Sequence, residues 1–119
     1  MYSTVRLQGN TINGTTVGTG FFYSYEGKVF LVTNKHVVQG ISDGNFIMTR
    51  SQEQDGVLLP WIGNGIQINF SENDFFGHPD TKVDVTVMNV TIIINNAKEQ
   101  GTPIYCRNIF NLHFANKNQ

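Results

Sequence analysis

The chain has 119 residues, of which 39% are hydrophobic and only 14% are charged, and its formal net charge is −1. This length allows one small domain with a single core, and the apolar content excludes a disordered acidic or basic tail. Lysine and arginine do not cluster, so we expect no nucleic-acid partner, because no basic stripe is present to displace phosphate counterions.

Cys106 is the only cysteine, which excludes an internal disulfide framework and a cysteine-rich zinc site. The opening stretch MYSTVRLQGN lacks the basic and apolar regions of a signal peptide. The longest apolar runs are much shorter than a membrane span. We therefore expect a cytoplasmic protein with no membrane partner.

Taken in chain order, the hydrophobic spacing predicts short strands separated by turns. STVRLQ alternates, and GTGFFYSYEGKVFLVTN indicates two strands joined at Glu26-Gly27-Lys28. HVVQG favours a helical turn, and NFIMTR, GIQINF and VDVTVMNV are further strand candidates bounded by Gly, Asn, Asp or Ser. Strands without intervening helices are typical of an all-β antiparallel sandwich or barrel.

The pattern becomes ambiguous after about residue 91. TIIINN is compatible with a strand, NNAKEQGTP with a turn or a frayed helix, and the aromatic-rich end has no clear period. We expect residues 1–90 to form the β-domain. Residues 91–119 are expected to hold a last strand and the start of a linker, with the chain stopping before a second domain.

Three motifs occur in an informative order: GTGFF at 18–22, LVTNKHVV at 31–38 and HPDTKVDVTVMNV at 78–90. Together they resemble the N-terminal half of a trypsin-like (chymotrypsin-fold) serine peptidase, in particular its intracellular, Deg-like members. The resemblance covers about residues 15–90. It implies an antiparallel six-stranded β-barrel, which is one half of a double barrel.

The resemblance also implies that His36 is the general base and Asp84 its orienting partner. Histidine suits proton transfer near neutral pH, and it needs a carboxylate on its second ring nitrogen to fix its tautomer. If His36 follows one strand and Asp84 begins another, both side chains can meet at one barrel rim. Gly18 and Gly20 suggest a sharp bend or a close backbone approach next to that rim.

The nucleophile that the family requires is not found in this chain. The family carries it in a Gly-[Asp/Asn]-Ser-Gly segment of the second barrel, whose amides also form the oxyanion hole. No serine here has that setting: Ser3, Ser24, Ser42, Ser51 and Ser71. We therefore expect the chain to be inactive alone, to act on a peptide or protein substrate, and to need the C-terminal barrel as its partner.

Other roles for these residue types remain open at this stage. Asp80 is an alternative partner for His36, although Pro79 and Thr81 mark a turn there. A zinc site would draw on His36, His78, Cys106 and His113, but no two of these have ligand spacing, so no metal or other cofactor is expected. Cys106 as the nucleophile lacks a glycine-framed turn and is more typical of a buried small hydrophobe.

A second hypothesis from another class is a non-catalytic β-barrel that binds a peptide or protein through exposed strand edges. Under either hypothesis an uncovered inter-barrel face would favour self-association into a homo-oligomer. Most strand aromatics are expected in the core, namely Phe21, Phe22, Phe30, Phe46 and Phe70. Phe75, Phe76 and Trp61 are expected in loops.

Overall fold

A computed structural model describes residues 4–101, 103 and 104 of the chain. It contains seven strands: β1 Thr4–Thr11, β2 Gly14–Tyr25, β3 Lys28–Thr33, β4 Asp43–Gln54, β5 Val57–Phe70, β6 Phe76–Gly77 and β7 Thr86–Asn89. A short helix, α1 Lys35–Val38, follows β3, a 3₁₀ turn spans Glu72–Asp74, and a longer helix, α2 Thr91–Glu99, follows β7. The protein is therefore mostly β.

All seven strands belong to one antiparallel sheet with the order β5-β4-β1-β2-β3-β7-β6. The three strands predicted before residue 34 are confirmed within the described residues, while β4 and β5 extend well beyond the six-residue segments that the spacing indicated. Within the described ranges no pairing joins β5 to β6 or β7, so the sheet is not closed into a barrel there.

Two hairpins are formed by two-residue turns in which both residues have positive φ. Glu26 and Gly27 connect β2 to β3 with φ of 50° and 78°, and Asp55 and Gly56 connect β4 to β5 with φ of 54° and 80°. Such turns match the right-handed twist of the strands, and glycine reaches positive φ without steric cost. The predicted turn at residues 26–28 is thus confirmed, with Lys28 already in β3.

The core lies on one face of the curved sheet. Its most deeply buried side chains come from different strands and from the residue that precedes α2: Leu7, Leu31, Phe46 and Val90. Phe22 and Phe46 lie on strands that flank β1, and their ring centroids are 6.4 Å apart.

The aromatic residues divide between the two faces of the sheet. Phe22, Phe46 and Phe70 are buried as predicted, whereas Phe21 is 37% exposed on the outer face. The prediction that places Phe21 in the core is wrong, because its neighbour Phe22 takes the inward position and alternation sends Phe21 outward.

The loop prediction for the other aromatics is wrong for Trp61 and Phe76 and confirmed for Phe75. Trp61 lies in β5 and Phe76 in β6, and both are exposed. Phe75 follows the 3₁₀ turn and packs edge-on against Phe70 in the core.

The strand considered for TIIINN is wrong, because Thr91–Glu99 form α2, and the end of this helix agrees with the frayed helix considered for NNAKEQGTP. The β-branched run TIII favours a strand locally, but Ile93, Ile94 and Ala97 share one helical face that packs on the core. Ile104 makes an isolated bridge to Arg50 of β4, and residues 105–119, including Cys106 and His113, lie outside the described residues. No helix in the described ranges has the length and apolar character to cross a bilayer.

Candidate active site

Pairing of β3 with β7 explains why residues 48 positions apart in the sequence meet. The ladder ends at the pair Thr33 and Thr86. Beyond this pair the chain turns into α1, which carries His36, while on the other side Asp84 lies two residues before β7 begins. Both side chains therefore lie at the same end of the same strand pair.

The short helix α1 is held in place by its packing on β2. Val37 and Val38 are buried, and a Cβ at Gly18 would lie 2.5 Å from the nearest methyl carbon of Val37. Gly20 is similarly crowded by Leu31 at 2.9 Å. The predicted close approach at these two glycines is confirmed, and at Gly18 it lets α1 pack directly on the sheet.

His36 and Asp84 form a two-point contact. The ring Nδ1 of His36 is hydrogen-bonded to Oδ2 of Asp84, and the backbone N–H of His36 donates to Oδ1 at 3.1 Å. An ionised carboxylate only accepts hydrogen bonds, so Nδ1 carries a proton and, in the neutral ring, Nε2 does not. The contact therefore fixes both the orientation and the tautomer of the imidazole.

The electrostatics of the pair favour the ionised carboxylate. The side-chain hydrogen bond from His36 is the largest cause that lowers the pKa of Asp84, and the backbone N–H groups of His36 and Lys35 act in the same direction. Partial desolvation raises the same pKa but does not prevail. Asp84 thus remains a hydrogen-bond acceptor at neutral pH.

The far side of the imidazole is open. The His36 side chain is 69% exposed and that of Asp84 is 47% exposed. Within the described part of the chain, Nε2 of His36 makes no hydrogen bond, so this nitrogen is accessible from outside. A ring held on one side and open on the other can accept a proton from an incoming group and return it.

Small polar residues before α1 bind backbone carbonyl groups. The hydroxyl of Thr33 donates to the carbonyl of Thr19 at 2.9 Å. The side chain of Asn34 donates to the carbonyl of Asp84 at 2.9 Å. Asn34 therefore binds the backbone of Asp84 itself, a contact that the sequence did not predict.

Lys35 is the site residue that sequence reasoning missed. Its ammonium group donates to the carbonyls of His78 and Asp80, at 2.7 Å and 3.1 Å. These residues belong to the loop that leads to Asp84. The only signal in the sequence was the position of Lys35 directly beside His36, and a lysine there is equally compatible with a solvated surface.

The geometry does not support the alternative roles of Asp80 and His78. The Asp80 carboxylate accepts from the backbone N–H of Lys82 at 2.9 Å and does not contact His36, so the alternative pairing is wrong. His78 is an exposed loop residue whose Nδ1 accepts from the backbone N–H of Asp80 at 3.0 Å. Among the described residues no group of three or more His, Cys, Asp or Glu side chains could hold a metal ion.

Comparison with known proteins adds no relative to this geometry. No protein-family model, curated protein or solved structure matches this chain.

Proposed function

We propose that this chain is the N-terminal β-domain of a trypsin-like serine endopeptidase that hydrolyses peptide bonds in proteins or peptides. His36 acts as the general base and Asp84 orients it. The observation that carries the proposal is the two-point contact of the Asp84 carboxylate with the ring Nδ1 and the backbone N–H of His36. If Asp84 only capped the four-residue helix α1, the bond to the His36 backbone N–H would suffice, and the contact with the ring would not be needed.

The chemistry follows from the open side of the ring. Nε2 of His36 takes the proton from a serine hydroxyl as that oxygen attacks the peptide carbonyl, and the carboxylate of Asp84 stabilises the resulting imidazolium. The same Nε2 then gives its proton to the leaving amine. The serine and the oxyanion hole come from a second barrel outside these 119 residues, so this chain alone is inactive.

The proposal includes a six-stranded barrel. Six of the strands, in the order β5-β4-β1-β2-β3-β7, would close if β5 paired with Met88 and Asn89, the end of β7 that β6 leaves unpaired. Support comes from the core, because Phe70 of β5 and Met88 of β7 belong to one buried cluster although four strands separate them in the sheet. A cytoplasmic location is also proposed, supported by the single cysteine of the sequence.

The outer face of the sheet is the proposed contact surface for the second barrel. Cross-strand pairing aligns Phe21, Val32, Val87 and Phe76 in one row over four strands. Residues that are directly opposite in an antiparallel sheet share a face. Phe76 is 73% exposed, and such an apolar row left uncovered also favours self-association.

The test combines the gene sequence with activity. We expect the reading frame that follows residue 119 to encode a glycine-flanked serine within about one domain length. The longer protein should cleave a fluorogenic peptide and react with a fluorophosphonate at that serine, and His36→Ala should abolish both. Undiminished reaction in His36→Ala, or a stop codon directly after residue 119, would contradict the proposal.

The apolar row and a shallow depression that includes two of its members, lined by Thr4, Phe21, Tyr23 and Val32, favour a second candidate function. In this alternative the domain is a non-catalytic module that binds a peptide or protein partner, and the His36–Asp84 pair is structural. The module would be supported if a chain without peptidase activity bound a peptide or protein partner, and if this binding were kept in His36→Ala and lost in Phe76→Ser. Loss of activity in His36→Ala would support the peptidase.

A further inference from the structure

We propose that Lys35 is a positioning residue that holds Asp84 against His36, through the loop that carries Asp84. This inference rests on the proposed function, since it concerns how the same pair is kept in register. It assigns to Lys35 a role that neither its residue type nor its neighbours in the sequence reveal.

The loop between β6 and β7 is closed at its base and braced inside. The backbone N–H of His78 donates to the carbonyl of Val85 at 2.8 Å, which closes the loop. Inside it, the backbone N–H of Val83 donates to the carbonyl of Asp80 at 3.0 Å. These bonds fix the shape of the loop, but they do not attach it to α1.

Attachment to α1 comes from three consecutive residues. The side-chain amide of Asn34 donates a hydrogen bond to the carbonyl of Asp84, and His36 binds the Asp84 carboxylate. The Lys35 ammonium group donates to the carbonyls of His78 and Asp80. Only Lys35 holds the beginning of the loop, since the other two residues bind its end. Without Lys35, these residues would hold the loop only at Asp84, through its backbone carbonyl and its carboxylate.

The stem of Lys35 is guided to these carbonyls by Gly77. A Cβ at position 77 would lie 3.0 Å from Cε of Lys35 and 3.7 Å from its Cδ. The lysine stem therefore runs over the glycine in close contact, and Lys35 is only partly exposed. A charged donor in this partly desolvated setting makes stronger hydrogen bonds than one in open water.

The readout is the tautomer of His36, because the Asp84 carboxylate favours the proton on Nδ1. Nitrogen chemical shifts of both ring atoms, measured on the ¹⁵N-labelled 119-residue chain at a pH where the ring is neutral, give the ratio of Nδ1–H to Nε2–H. We expect Nδ1–H to predominate in the parent. Lys35→Met loses both hydrogen bonds of the ammonium group, and the ratio should fall at least about tenfold, since a single hydrogen bond from a charged group has an effect of this size.

Matched variants separate positioning from charge and from stability. Lys82→Met removes the same charge from the same loop, where the Lys82 side chain makes no hydrogen bond within the described residues, and should leave the ratio unchanged. Lys35→Arg keeps a donor group that can reach both carbonyls and should restore the ratio to within about twofold. If Lys35→Met does not fold, Gly77→Ala displaces the stem while keeping the charge, and should lower the ratio two- to threefold, a rough figure for a weakened rather than lost hydrogen bond.

Each outcome has a distinct meaning. A parent with Nδ1–H predominant and a Lys35→Met variant with the same ratio would overturn the positioning role and leave the peptidase proposal intact. An equal fall in Lys82→Met would also overturn it, because charge alone would then explain the effect. A parent without Nδ1–H predominance would remove the His36–Asp84 contact on which both proposals rest.

Discussion

At the rim that carries His36, three consecutive residues reach a loop more than 40 positions away in the sequence. In the outer half of the β4–β5 hairpin, by contrast, Gln54 and Val57 are paired across a two-residue turn. The rim exists only when β3 and β7 have already paired. The hairpin needs only its own turn and its own register, so its contacts close short loops.

The two regions also differ in what they expose. The rim presents polar groups that are bound to each other, whereas the outer hairpin exposes Val57 and Trp61, at 56% and 42%. The hairpin is tied to a later part of the chain through the Ser51 backbone N–H, which donates to the Pro103 carbonyl at 2.7 Å. The hydrogen-bonded polar groups thus lie at the rim, where long-range contacts meet, whereas the locally folded hairpin exposes apolar side chains.

The largest effect is expected at the rim. In a protein that contains the serine, Asp84→Asn should lower kcat/KM roughly 10⁴-fold, because an amide in place of the carboxylate allows the wrong tautomer of His36. Circular dichroism should show an unchanged fold, since the amide oxygen can still accept the His36 backbone N–H. Asp80→Asn is the matched control, and a comparable loss in that variant would contradict the assigned pairing.

The core beneath both regions should dominate stability. Phe46 is 1% exposed, and Phe46→Ala is expected to lower the free energy of unfolding by about 3–5 kcal/mol. Leu59 in the outer hairpin is 37% exposed, and Leu59→Ala should cost less than about 1 kcal/mol. Urea unfolding measures both. Equal losses would show that the hairpin is as integral to the fold as the core.

Packing of α1 on the sheet is the next test. Gly18→Ala should destabilise the protein by about 1–3 kcal/mol, because the new methyl group meets the side chain of Val37. Shortening the neighbour in Gly18→Ala/Val37→Ala should recover part of this loss. A double mutant whose destabilisation equals the sum of the two single variants would show that the contact is absent.

The smallest expected effect is the pH dependence from Asp84. Its pKa is lowered in the folded state, so its contribution to stability is complete above its ordinary value of about 4 and is lost as pH falls through the lowered folded value. Below about pH 4, Asp84→Asn should therefore show a shallower decline of Tm with pH than the parent. Identical Tm profiles would mean that the carboxylate makes no stabilising contact.

The sequence predicted the elements whose signals are local. Alternation over β1 to β3, the turn at Glu26-Gly27 and the short helix at His36 were all placed correctly. The contact of His36 with Asp84 was expected only because the resemblance to trypsin-like peptidases implies it, and spacing alone left Asp80 open as the partner. The local features need only the neighbouring residues.

The features that failed depend on tertiary context. The valines at 83, 85 and 87 alternate with Asp84, Thr86 and Met88, and spacing alone did not decide which set faces the core. Thr86 and Met88 are buried, whereas Val85 is 37% exposed. Because alternate residues of an extended chain point to the same side, Asp84 lies on the same side as Thr86, at the rim. Likewise, the TIII run is helical, and its isoleucines share with Ala97 a face that packs on the core. The hydrogen bonds of Lys35 depend on where the loop of residues 78–84 lies, which the sequence does not reveal.

The openness of the His36 ring has a consequence for regulation. With both side chains of the pair substantially hydrated, salt and water screen their attraction and reduce its strength. Any surface that covers this rim removes that water, and the same unmoved atoms then attract each other more strongly because the local dielectric constant falls. Docking of a covering surface would therefore strengthen the attraction between His36 and Asp84 without any conformational change in the pair itself.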